Sequence, residues 1–168
     1  KTGYDLIAVE KQRPAGPLLI NMDSAAPNAV AGEWLRSGGL GRLDEVRAEY
    51  RLGDSRFDFR LEDGQGPIFV EVKGVTLEEA GEVRFPDAPT QRVAKHLRGL
   101  LRAVEQGYRA AVCFVIQMKG VRAFAPNEEP HPAFAAALRS ARDPGLALYA
   151  KDSRVQPDCM ELDAPVPI

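Results

Sequence analysis

The run "YRAAVCFVIQM", residues 108–118, is apolar at almost every position. A strand with apolar residues at both i and i+1 has no face left for solvent, so it reads as covered on both sides. The sheet that holds it therefore needs a layer against each face. The segment before it, "TQRVAKHLRGLLRAVEQG", is the clearest helix in the chain. Val93, Leu97, Leu100, Leu101 and Val104 make its apolar stripe, Thr90 can cap it and Gly107 can end it. Before that helix stands "IFVEVKGVTL", residues 68–77, a second strand rich in Val, Ile and Phe.

The rest of the chain fits around this unit. "YDLIAVEK" and "PLLINM" read as two short strands joined through Pro14 and Gly16. In "SAAPNAVAGEWLRSGGLG", Val30, Trp34 and Leu35 form a helical stripe that Gly38 and Gly39 stop. "VRAEYRL" and "RFDFRLED" alternate about "GDS" and read as a hairpin, with Phe57, Phe59 and Leu61 on one buried face. "EEAGEVRFPDAP" has no period and reads as a loop. "VRAFAP" is a short strand, "PAFAAALRSARD" a helix with Pro132 in its first turn, and "LALYAKDSRV" a last strand before the tail "QPDCMELDAPVPI". The order predicts an α/β fold, a mixed central sheet flanked by helices, with residues 1–168 as one domain.

Two charges interrupt the strand 68–77. Glu71 and Lys73 are two apart, so they share a face, with Cα atoms roughly 6.5–7 Å apart. Asp58, in the middle of the preceding strand, can lie opposite or diagonal to Glu71. Glu49, one strand earlier on the non-core face, can join them. Two readings fit. A Glu-x-Lys spacing is often a same-face ion pair on a solvated surface, worth about 0–1 kcal/mol. Alternatively, two carboxylates that converge on a face hold a divalent metal such as Mg²⁺ or Mn²⁺. A nearby lysine then stabilises a metal-bound hydroxide or the charge on a phosphate. That second set suits phosphodiester hydrolysis.

The helix 90–106 also carries Arg92, Lys95 and His96 at i, i+3 and i+4, a compact basic cluster. A solvated helix face explains such charges, and so does a surface for a phosphate backbone. The formal charge is −2, so any nucleic-acid signal is local. His131, between two prolines, reads as a loop residue. Cys113 lies inside the apolar run and reads as a core thiol, which fits a reducing cytoplasm. No apolar run approaches the roughly 20 residues that span a bilayer, and no signal peptide is visible, so neither a membrane nor secretion is expected. There is no nucleophile elbow, no P-loop and no Cys-x-x-Cys. Trp34 belongs to a core stripe, so no aromatic platform for a sugar is visible.

The motifs "SRFDF", "EVKGVTL", "FPDA" and "TQRVAKHL" together resemble the sugar fermentation stimulation protein A (SfsA) family. The resemblance implies a PD-(D/E)XK, restriction-endonuclease-like domain in which Asp58, Glu71 and Lys73 carry metal binding and catalysis. It adds the backbone carbonyl of Val72 as a metal ligand and sets Arg92, Lys95 and His96 beside the site. It implies non-specific DNA binding and a regulatory role in sugar (maltose) metabolism, and it leaves cleavage open. Family members carry an N-terminal domain resembling an OB-fold, and the resemblance implies that this chain begins after it.

Overall fold

The computed structural model describes residues 3–88, 91–128 and 145–168, together with Pro132, Ala136 and Leu138. Of the expected helix 132–143, those three residues are helical and Leu138 is buried. The remainder of that helix, His131 and the Thr90 cap lie outside the described residues.

The chain runs β1 (Ala8–Lys11), β2 (Leu18–Asn21), α1 (Ala26–Arg36), β3 (Glu45–Leu52), β4 (Ser55–Asp63) and β5 (Gly66–Val75). It continues with β6 (Leu77–Glu79), β7 (Glu82–Phe85), α2 (Gln91–Glu105), β8 (Arg109–Ile116), β9 (Ala123–Pro126), β10 (Leu146–Gln156) and β11 (Cys159–Pro165). Six strands form one mixed sheet in the order β11-β10-β8-β5-β4-β3. β5, β8 and β10 are mutually parallel, and antiparallel strands complete both edges.

β8 explains the two-layered packing. Phe114, Val112 and Ile116 point into one core with Leu97 and Leu100 of α2. Cys113, Val115 and Ala111 point into the other with Val30, Ala31 and Leu35 of α1. The expected strand covered on both faces is therefore present, with one helix on each side. Burying such a side chain fully is worth about 1.5–3 kcal/mol, which outweighs the entropy of fixing it. α2 stops at Gly107, which has φ +87°.

Two expectations need correction. The stretch read as a loop forms the hairpin β6–β7 and pairs in parallel with β9. Its turn is Ala80–Gly81, both at positive φ, and Val83 and Phe85 alternate into the core. The alternation spans only four residues, too short to stand out from the surrounding charges. The supposed C-terminal tail forms β11, which pairs with β10 as an edge strand of the sheet. Among the described residues no helix is long and apolar enough to cross a membrane.

Candidate active site

The β3–β4 hairpin does not keep one face buried, and the departure falls where the acids stand. Phe59 and Leu61 pack on the α1 side, whereas Phe57 packs on the α2 side. Val46 and Tyr50 on β3 split the same way. The switch occurs at Glu49, which has φ +54° and no register partner, and at Asp58 opposite it. A regular strand would have sent Phe57 and Phe59 to one face, so the local irregularity rotates the chain between them.

The pairing of β4 with β5 also ends here. Its last pair is Phe59 with Val70, and the next would have been Asp58 with Glu71. The strands part, and the Asp58 side chain replaces the missing ladder partner. Its Oδ2 accepts the Val72 N–H at 2.7 Å, and its Oδ1 accepts from Asn28 Nδ2 at 3.0 Å. The gap opens into a cleft of about 420 Å³, lined among others by Asp58, Glu71, Lys73, Asn28, Arg92 and Gln117. The cleft lies at the carboxyl ends of parallel β5 and β8, where α/β sheets generally bind ligands.

Glu71 lies on the Phe69 face, beneath α2, and is only 2 % exposed. A solvated surface pair is thereby excluded. Its Oε1 accepts from Lys73 Nζ at 2.6 Å and meets His96 Nδ1. Lys73 Nζ is also 3.2 Å from His96 Nδ1. Glu71 Oε2 is buried with no hydrogen-bond partner among the described residues. Burial would raise the Glu71 pKa, but the His96 hydrogen bond and the Lys73 charge outweigh it and hold the carboxyl below its ordinary range. Asp58 shifts the other way. Its burial, then the Glu71 charge, push it up against the Val72 hydrogen bond. The two acids thus have unequal proton affinities within one cleft.

The cleft gathers Asp58, Glu71, Val72, Lys73 and Arg92. His96 reaches it through Glu71 and Lys73, so it is a cleft residue as well as part of a basic helix face. Lys95, its neighbour, is exposed and turns away from the cleft. Glu49 is not brought in: its carboxylate is 72 % exposed and pairs with Arg56 at 2.7 Å. The left-handed backbone at Glu49 swings the side chain out of the alternation that face counting assumed. Among the described residues no three His, Cys, Asp or Glu side chains are grouped closely enough to hold a metal alone.

Sequence reasoning missed Asn28 and Gln117. Gln117 Nε2 donates to the Asn21 carbonyl at 3.0 Å and Asn21 Oδ1 at 2.9 Å, which turns its Oε1 toward Gly74. Its only signal was a polar residue ending the apolar strand. Asn28, in the first turn of α1, has none.

Comparison with known proteins agrees with this architecture. The model of the sugar fermentation stimulation protein RE domain matches residues 25–159. This chain belongs to the sugar fermentation stimulation protein family. A homolog from Desulfitobacterium hafniense (strain DSM 10664 / DCB-2) is 52 % identical over 161 residues, covering 96 % of this chain and 69 % of that protein. One from Ruminiclostridium cellulolyticum is 46 % identical over 169 residues, covering 100 % and 73 %. SfsA of Pyrococcus furiosus, solved in complex with Ca²⁺, superposes with a TM-score of 0.85 at 23 % identity, covering 99 % of this chain and 74 % of that one. The fold is thus that of a family member, with the cleft where β4 and β5 part.

Proposed function

We propose that the cleft is a divalent-metal-dependent site for phosphodiester hydrolysis, of the PD-(D/E)XK type, acting on DNA without sequence preference. The observation that carries this reading is Glu71 Oε2, a buried carboxylate oxygen without a donor among the described residues, beside the half-buried Asp58. Leaving a buried acceptor unmet costs about 1–3 kcal/mol, more when it is charged. A divalent cation would satisfy it and neutralise the repulsion between the two acids. Asp58, Glu71 and the carbonyl of Val72 would hold that ion. A donor set with only two carboxylates suits Mg²⁺ or Mn²⁺, which keep several waters. The Ca²⁺ in the Pyrococcus furiosus relative fits a divalent ion of the same class. When bound, the ion supplies Lewis acidity toward water and the phosphate. Lys73 orients a water or stabilises phosphate charge, and its contacts with Glu71 and His96 fix its ammonium in position. Arg92 adds a cation to the cleft wall.

The test is plasmid incubated with the protein and Mg²⁺ or Mn²⁺, against EDTA. Glu71→Gln and Lys73→Ala should each abolish metal-dependent cleavage while circular dichroism stays that of the wild type. Wild-type rates in both variants would end the proposal. A second reading fits the same contacts: Lys73 held by Glu71 and His96 is a closed arrangement that also suits a non-catalytic DNA-binding regulator of sugar (maltose) metabolism. That reading expects retarded DNA that remains intact in both metals.

A further inference from the structure

Beyond His96 a second groove runs between the β3–β4 turn and the outer face of α2. Its floor is set where α2 meets β4, because a Cβ at Gly99 would stand 3.0 Å from Ser55 Oγ. Its widest part holds about 690 Å³. Arg51, Arg56, Lys95, Arg98 and Arg102 line it, with Asp54 as the one carboxylate among the lining residues. The chain as a whole carries −2, so this is a local reversal of charge.

The cations are poorly satisfied. Arg51 and Arg56 are direct cross-strand partners, an arrangement in which like charges repel. Arg56 is relieved by Glu49 at 2.7 Å, and among the described residues Arg102 donates only to the neutral Ser55 hydroxyl at 3.2 Å. Arg51, Lys95 and Arg98 have no ion-pair partner among the described residues. Lys95, Arg98 and Arg102 lie at i, i+3 and i+7, one stripe about 10 Å long. The stripe is long enough to meet more than one phosphate of a backbone strand. His96 stands at the end of this groove and also contacts Glu71, so a strand in the groove leads to the cleft.

We infer that this groove docks the sugar–phosphate backbone of DNA and carries most of the affinity, with the acidic cleft contributing little. The choice of polynucleotide rests on the function proposed for the cleft. The groove recognises charge spacing and no base edges, so binding is independent of sequence.

The probe is a fluorescein-labelled 20-base-pair duplex, titrated by anisotropy in EDTA from 50 to 200 mM NaCl. Lys95→Ala/Arg98→Ala should weaken binding at least tenfold at 50 mM. It should also make the slope of log K against log [salt] shallower by about 2, since each phosphate contact contributes about 0.9. Arg154→Ala, which removes a cation outside the groove that pairs with Asp163, should keep the wild-type slope. Arg98→Ala alone, with half the change in slope, guards against misfolding of the double variant. A wild-type slope in the groove variants would overturn the inference, as would a protein that binds phosphatidylglycerol vesicles and no duplex. Groove-dependent binding without cleavage would sink the catalytic reading and leave the groove intact. Cleavage indifferent to the groove substitutions would do the reverse.

Discussion

Replacing Asp58 by alanine and by asparagine separates its structural role from its charge. The β4–β5 ladder ends at Phe59 and Val70, and Asp58 Oδ2 takes the next amide, that of Val72, at 2.7 Å. Alanine strands that donor, at a cost of about 1–3 kcal/mol. For a domain of this size the loss corresponds to a fall in Tm of about 2–12 °C. Asparagine keeps an acceptor for Val72 and removes a charge that burial and Glu71 both disfavour. In metal-free buffer at pH 7, Asp58→Asn should match or exceed the wild type in stability, while Asp58→Ala falls below it. The gap between Asp58→Asn and the wild type should also depend on pH. The folded-state pKa of Asp58 is raised above 3.8, so its contribution to wild-type stability is complete below 3.8 and is lost as pH rises through the folded value. The asparagine advantage therefore widens from about pH 4 upward and then levels off. Glu71 is shifted down, so its contribution is present above 4.5 and is lost as pH falls through its folded value. Both proteins retain the His96 and Lys73 contacts that produce it. Adding metal at 100 times its Kd should stabilise the wild type by about 2.7 kcal/mol and the asparagine variant by less. Urea unfolding across pH 4–8, with and without Mg²⁺, measures all of this. Equal stability of the two variants, or a pH-independent gap, would refute the reasoning.

Gly74→Ala should lower stability by about 1–3 kcal/mol and narrow the cleft, since its Cβ would overlap Gln117 Oε1 and stand 2.8 Å from the rigid Pro27 ring; thermal unfolding and metal-induced stabilisation read the two effects. Cys159 is exposed, whereas Cys113 is buried with its thiol pushed up to about 12 by burial. A thiol reagent should therefore titrate one cysteine in the native protein and two in 6 M guanidinium, and two fast equivalents in the native state would contradict the packing of β8.

Periodicity was enough to find α2, β8 and β5 and to require a layer on each side of the sheet, because burying both faces of a strand leaves a compositional mark that no loop can mimic. Short elements left no such mark. β6, β7 and β11 exist through pairing with neighbouring strands, β7 also with the distant β9, and their local sequences are too brief and too charged to declare it. The same division runs through the site. Counting faces put Glu71 and Lys73 together, because two residues of one strand cannot separate. It could not tell that Glu71 would be buried beneath α2 and joined there by His96. Nor could it foresee Glu49 turning outward, since that depends on a single left-handed residue within an otherwise regular alternation. Asn28 and Gln117 enter the cleft from 30 residues before Asp58 and 46 after Glu71, brought there only by how α1 and β8 pack on the sheet. The sequence determined which charges share a strand. The tertiary structure decided which of them lose their water, and it is that desolvation that leaves Glu71 Oε2 without a partner among the described residues.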